Sequence, residues 1–139
     1  MNEQQQPTLE RLEDTDLTLA DLADDIRGRT VVDSSGEEIG KVDSLFIDRD
    51  ERRVRLLQIS SGGILGIGDS KKLIPVDAVT AVDDDKVHID QHHEHVAKGP
   101  VYDPDLAREE PQDFVDVYSY YGATPFWTPG YMYPRYHRH

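Results

Sequence analysis

The feature that most constrains the fold is a series of short β-like segments in the middle of the chain. Between residues 26 and 90, Val, Ile and Leu recur in short runs that are separated by turn-forming residues. The predicted strands are 29–33, 38–48, 53–60, 71–76, 79–82 and 86–90. Six short strands without a long helix predict an all-β domain, either a small six-stranded antiparallel barrel or a strongly bent sheet.

Composition divides the 139 residues into three zones. Residues 1–24 form an acidic N-terminal arm, which we expect to be largely solvated. Residues 25–98 form the β domain. Residues 99–139 form a C-terminal tail rich in proline and aromatic residues, in which we recognise no strand or helix period.

The end of the N-terminal arm is predicted to form a short helix. Thr18 and Asp21 have the spacing of a capping box. The apolar residues that follow a helical spacing are Leu19, Leu22, Ala23 and Ile26.

Charge and composition exclude several classes of function. Asp and Glu outnumber Lys and Arg by 28 to 15, giving a net charge of −13, which disfavours direct binding to nucleic acid. The absence of cysteine excludes disulfides, thiolate nucleophiles and cysteine-based zinc sites. The N-terminal segment does not resemble a secretory signal, and no apolar run approaches the roughly 20 residues of a membrane span. We therefore expect a soluble cytoplasmic protein.

The glycine-rich stretch at 62–79 reads GGILGIGDSKKLIPVDAV and invites comparison with a phosphate-binding loop. Gly63 and Gly68 fit the spacing G-x-x-x-x-G, but Asp69 follows where such a loop needs Lys and Ser or Thr, and a strand follows where it needs a helix. We predict a structural connection that either closes one end of the barrel or offers a contact surface. Its apolar side chains, the candidate partner-binding residues of this loop, are Ile64, Leu65 and Ile67.

A histidine-rich run follows the last predicted strand. It contains His88, His92, His93 and His95, together with Asp90 and Glu94. Imidazoles and carboxylates suit transition metals, and histidines also respond to pH near neutrality. Because the run leaves the sheet for a polar segment, we favour a solvated linker and predict no metal ligands, no cofactor and no catalytic residues.

The aromatic tail is the most unusual part of the chain, since it holds all seven tyrosines and the only tryptophan. So much amphipathic ring area is expected to be covered. It either folds back on its own domain or a twin subunit, or orders on a protein partner. The candidate partner-binding residues are Tyr118, Tyr120, Tyr121, Phe126, Trp127, Tyr131 and Tyr133.

The middle zone resembles the PRC-barrel domain family over about residues 24–92. The resemblance is carried by IRGRTVVDSSGEEIGKVDSLFID, by VRLLQISSGGILGIGDSKKLIPVDAV and by KVHID. The opening motif is met by Gly28, Val31, Asp33, Gly36, Gly40 and Val42. The resemblance implies a six-stranded β-barrel.

The resemblance to the PRC-barrel family also has implications for function. Its members include the cytoplasmic domain of the photosynthetic reaction-centre H subunit and the C-terminal domain of a ribosome maturation factor. The resemblance implies a non-catalytic adaptor that binds a protein partner, with a homodimer possible. The alternatives that it implies are a factor associated with the ribosome or RNA metabolism, and an accessory subunit of a membrane photosynthetic or redox complex.

Overall fold

The computed structural model describes residues 9–60, 71–102 and 111–138. The strands in these ranges are β1 Leu9–Arg11, β2 Thr30–Val32, β3 Glu38–Asp48, β4 Val54–Ser60, β5 Lys71–Pro75, β6 Val79–Val82, β7 Lys86–Ile89, β8 Val101–Tyr102 and β9 His137–Arg138. The α-helices are α1 His93–Ala97 and α2 Pro111–Tyr121. Short 3₁₀ turns lie at Leu12–Asp14, Leu22–Asp24 and Val76–Ala78.

The six strands predicted from the sequence correspond to β2 through β7, and their ends agree closely with the predicted ends. The agreement follows from turn chemistry that is readable in the sequence. Between β2 and β3, the carboxylate of Asp33 accepts the backbone N–H groups of Ser35 and Glu37, and Gly36 adopts a positive φ of 92°. The prediction of a mainly β chain is confirmed.

The strands form one mixed sheet in the order β8-β5-β4-β3-β2-β7-β6-β9. Strand β1 lies off this path and pairs with the last three residues of β3. Strands β2 and β7 run parallel, as do β6 and β9. The prediction that the six strands pair only in antiparallel fashion is therefore wrong for β2 and β7, whereas β9 was not among the predicted strands. Among the described strands no pairing joins the two ends of the sheet, so closure into a barrel is not confirmed.

The described part of the N-terminal arm is anchored to the sheet by buried leucines, although many of its other residues are exposed as expected. Strand β1 pairs with the last residues of β3, and the side chains of Leu9, Leu12 and Leu19 are buried. Acidic residues of the arm also find partners on the sheet. Arg49 donates to Glu10 at 2.8 Å, and the hydroxyl of Ser44 donates to Glu13. Acid-rich composition did not reveal that leucines spaced along the arm would anchor it.

The short helix predicted at the end of the arm is a single 3₁₀ turn, Leu22–Asp24. Asp21 caps this turn by accepting the backbone N–H of Ala23 at 3.0 Å. Leu22 is 74% exposed, because one short turn cannot direct the whole apolar set toward the core.

Two apolar clusters lie on opposite faces of the sheet, and β4 contributes to both. Leu57 and Ile59 belong to the main core, whereas Leu56 belongs to the second cluster. Burial on both faces explains why two apolar residues, Leu56 and Leu57, stand side by side in β4.

Helix α2 covers the second cluster, and its presence corrects the prediction that the tail has no regular structure. Phe114, Val117 and Tyr118 are spaced as one helical face and are buried there. They pack with residues of the sheet that include Phe46 and Leu73. Three buried positions and the partly buried Tyr121 form this stripe, which is too short to stand out within an aromatic-rich sequence.

Candidate interaction surface

The aromatic residues that we predicted as a contact surface are ordered against the chain's own sheet. Tyr118 is only 1% exposed and forms part of the second cluster. Those that are half-buried are Tyr120, Tyr121, Phe126, Trp127, Tyr131 and Tyr133. The loop residues Ile64, Leu65 and Ile67 lie outside the described residues. Of the two expectations for the tail, the structure therefore favours folding back on its own domain.

Edge-to-face ring contacts connect helix α2 to the part of the tail that follows it, residues 122–138, which we term the aromatic segment. The ring of Trp127 meets that of Tyr118 at a centroid distance of 5.7 Å and an interplanar angle of 89°. Phe126 meets Trp127 at 5.1 Å and 84°. These are the arrangements that the quadrupoles of aromatic rings prefer. The contacts restrict the orientation of Phe126 and Trp127 while leaving part of each ring exposed.

A second ring contact joins α1 to α2. His95 stacks on Tyr120 at a centroid distance of 4.2 Å and an angle of 10°. The Tyr120 hydroxyl donates to the backbone carbonyl of His95 at 2.6 Å, and His95 Nε2 lies 3.3 Å from the carbonyl of Tyr120. Tyr121 approaches the same imidazole edge-on. His95 is thus a bridge between two helices.

The guanidinium of Arg55 lies beneath the aromatic residues. Its Nε donates to Asp48 at 2.7 Å and its Nη2 to Glu51 at 2.5 Å. The guanidinium carbon also lies 4.5 Å from the ring centroid of Phe126, within cation–π range. Burial alone would lower the pKa of Arg55, but these carboxylates raise it above its ordinary value. A fixed positive charge therefore supports the aromatic segment from below.

Arg53 supports the next part of the tail. Its guanidinium carbon lies 3.6 Å from the ring centroid of Tyr133, whose hydroxyl donates to the carbonyl of Val54 at 2.9 Å. Further along, the hydroxyl of Tyr136 donates to Asp24 at 3.3 Å. The tail and the N-terminal arm therefore meet at this edge of the domain.

An open cleft of about 270 Å³ lies beside the aromatic segment. Its lining residues are Asp77, Thr124, Pro129, Gly130, Tyr131 and Met132. Tyr131 donates its hydroxyl to Asp77 at 2.9 Å, while burial raises the pKa of the Asp77 carboxyl. Met132 is 75% exposed, so an apolar side chain projects from a segment whose neighbouring rings are fixed.

The histidine-rich run is divided among three places. His88 lies 3.7 Å from Asp83, and His95 stacks on Tyr120. His92 and His93 lie beside Asp33, and the atoms that could ligate a metal in these three residues are within 4.8 Å of one another. The sequence alone did not reveal Asp33 as a member of this group. The parallel pairing of β2 with β7 brings it there, and local patterns do not specify strand direction.

Fold and surface together define a small β-rich domain with an aromatic segment fixed across it. The family model for the PRC-barrel domain matches residues 20–96, more than half of the chain. The chain belongs to the PRC-barrel domain family, which confirms the resemblance seen in its sequence. A comparison with curated proteins gave no match. Within the described residues, no helix combines the length and the apolar character that crossing a membrane requires.

The family match ends before helix α2, so the helix and the aromatic segment lie beyond the matched residues. Their structure is nevertheless continuous with the domain, because α2 supplies side chains to the second cluster. The partly exposed aromatic residues described above are therefore supplied by residues beyond the family match.

Proposed function

We propose that the chain is a non-catalytic protein-interaction module of the PRC-barrel type that acts in the cytoplasm. Its partner contacts what we term the aromatic surface. This surface consists of Phe126, Trp127, Tyr131, Met132 and Tyr133. Tyr118 is excluded from it because the side chain is buried. Tyr120 and Tyr121 remain predicted contact residues beside it.

The observation that carries this proposal is the combination of fixed rings and partial exposure. Phe126 and Tyr133 lie over the guanidinium groups of Arg55 and Arg53, and Tyr131 is hydrogen-bonded to Asp77. Each of these residues still keeps part of its surface exposed. Aromatic side chains held in advance lose little conformational entropy on binding, which is the property that makes Tyr and Trp frequent hot spots.

The charge of the chain supports a protein rather than a nucleic acid as the partner. A net charge of −13 repels phosphate backbones, and the two arginines beneath the aromatic surface have carboxylates or rings as neighbours. A ribosomal protein, a component of a membrane redox complex and a second copy of this chain all remain possible identities. Identification of the captured partner would distinguish the roles that these three candidates imply.

The test is affinity capture from native lysate with the full chain, followed by measurement of Kd with the purified partner. Removing residues after Gly99 is unsuitable, because it would uncover the apolar cluster beneath Phe114 and Val117. The informative variant is Met132→Glu, which places a charge on an exposed side chain. We expect it to weaken the interaction by at least about tenfold, since a buried unpaired charge is costly.

Leu22→Glu is the matched control, because Leu22 is as exposed as Met132 but lies in the N-terminal arm. Light scattering of each purified variant would report self-association. If binding or dimerisation survives Met132→Glu unchanged, or is lost only with Leu22→Glu, the aromatic surface is not the contact site. Loss of binding with both variants would mean that the partner contacts the N-terminal arm as well as the aromatic surface. These two parts meet at the contact between Tyr136 and Asp24.

A further inference from the structure

The parallel pairing of β2 with β7 brings two distant segments of the chain together. In a parallel pair both strands end at the same edge of the sheet. Asp33 directly follows β2, and the residues that lead to His92 and His93 directly follow β7. The backbone N–H of Ser34 donates to the carbonyl of Gln91 at 3.0 Å, which ties the two strand ends together.

Asp33 is a rigid, ionised anchor at this edge. Its side chain is fully buried, and one carboxylate oxygen accepts the backbone N–H of Ser35 at 2.9 Å and that of Glu37 at 2.8 Å. An aspartate carboxylate is ionised at neutral pH, and this one is held in place by the turn that it caps.

The two imidazoles lie at the open side of this anchor. His93 Nδ1 is 2.7 Å from Asp33 Oδ2, and the backbone N–H of His93 donates to the same oxygen at 2.7 Å. The rings of His92 and His93 have centroids 4.1 Å apart and are tilted by 30°. His92 is exposed and its Nδ1 accepts the backbone N–H of Glu94 at 3.2 Å. Solvent can therefore reach the side of the group opposite Asp33.

We propose that Asp33, His92 and His93 form a binding site for a divalent transition-metal ion of the Zn²⁺ type. Imidazole nitrogen and carboxylate oxygen are the ligands that zinc takes in proteins other than thiolate, and this chain has no cysteine. Three protein ligands leave a coordination position for water. The ion would join the end of β2 to the start of α1.

The distances in the group require only local adjustment. Bonds of about 2.0–2.2 Å in a tetrahedral site place neighbouring ligand atoms roughly 3.4 Å apart. His93 Nδ1 and Asp33 Oδ2, at 2.7 Å, would separate by about 0.7 Å as the metal replaces the proton between them. The widest separation in the group, within 4.8 Å, would shorten by rotation of the exposed His92 ring. That rotation gives up one hydrogen bond, the one from Glu94.

The test is calorimetric titration of Zn²⁺ into the full chain, produced without a histidine tag and treated with a chelator. We expect one saturable equivalent, and Co²⁺ should give the visible absorption of a low-coordinate site. His92→Gln and His93→Gln should each weaken zinc binding by at least about tenfold, because losing even an outer-sphere partner has that effect. Mg²⁺ should not compete, since it prefers an octahedral shell of oxygen ligands.

His88→Gln is the matched control, because His88 belongs to the same histidine-rich run but lies beside Asp83. It should leave zinc affinity unchanged. Circular dichroism would confirm that each variant is folded, and the exposure of His92 makes His92→Gln the safest of them. The proposal is overturned if no stoichiometric zinc binding occurs, or if His88→Gln weakens binding as much as His92→Gln. In either case the three residues serve only to cap α1 by hydrogen bonds.

Discussion

Arg55 is a charged residue that the fold buries, with 3% of its surface exposed. A buried charge is tolerated only when it is paired and hydrogen-bonded, and Asp48, itself buried, supplies that pairing. The arrangement explains why an arginine can stand in a strand whose other side chains are mostly apolar. It also places Arg55 in contact with both the sheet, through Asp48, and the aromatic surface, through Phe126.

At the residue scale, we predict that Arg55→Met lowers the free energy of unfolding by about 3–5 kcal/mol, because it leaves the carboxylate of Asp48 buried without its partner. Urea denaturation would measure the change. Arg49→Gln is the control, since the Arg49–Glu10 pair is solvent-exposed, and we expect it to have little effect.

The double variant Arg55→Met with Asp48→Asn separates lost charge pairing from lost packing. Asparagine keeps a side-chain oxygen that can accept the backbone N–H groups of the turn, which Asp48 accepts from Glu51 and Arg53. Removing both charges should restore part of the stability, because no buried carboxylate is then left without its partner. If the double variant is as unstable as the single one, the guanidinium acts through packing against the rings rather than through Asp48.

At the scale of elements, α2 is held to the sheet by a small set of contacts that should be measurable. Phe114 is 2% exposed and meets Phe46 edge-on at a centroid distance of 6.0 Å. We predict that Phe114→Ala lowers the free energy of unfolding by about 3–5 kcal/mol, the usual range for truncating a buried phenylalanine. Chemical denaturation would again measure it.

Ser119→Ala on the same helix is the matched control, because Ser119 is exposed. Its effect should stay within about 0.5 kcal/mol. A loss below about 1 kcal/mol for Phe114→Ala would mean that α2 contributes little to the stability of the sheet.

The strands were predictable from the sequence, whereas α2 and the packed N-terminal arm were not. Strands such as β4 carry a strong apolar signal and are bounded by turn residues, so local patterns identify them. By contrast, β1 has only three residues and α2 carries a weak apolar stripe. The burial of both depends on partners far along the chain, such as Phe46 for both Leu9 and Phe114. Tertiary contacts, rather than local propensity, decide such elements.

The candidate sites show the same division. The aromatic residues stand out by composition alone, but the sequence could not say which of them would be buried. Of the seven that we named as contact residues in the tail, only Tyr118 is buried. Asp33 was visible as a turn residue, yet its proximity to His93 depends on the direction of two strands that pair across most of the domain. Strand direction is set by the topology of the whole sheet and cannot be read from a local sequence pattern.

At the scale of the whole molecule, the packing of α2 and the tail on the sheet predicts one cooperative unit. Trp127 is the only tryptophan, so its fluorescence reports on the aromatic segment alone, while far-UV circular dichroism is dominated by the rest of the chain. We predict that the two signals change at the same urea concentration, as two-state unfolding requires. A fluorescence transition at lower urea would show that the tail detaches before the sheet unfolds.

The parallel pairing of β2 with β7 also has a consequence for how the chain reaches its native state. Thr30 pairs with Lys86, so nearly all of the intervening domain must be closed into a loop before this contact can form. The entropy of closing a long loop makes such contacts late and slow, whereas the neighbouring strands β3 and β4 can pair early. The edge where Asp33 meets His93 would then be among the last parts of the molecule to assemble. Formation of this contact would therefore mark the completion of folding.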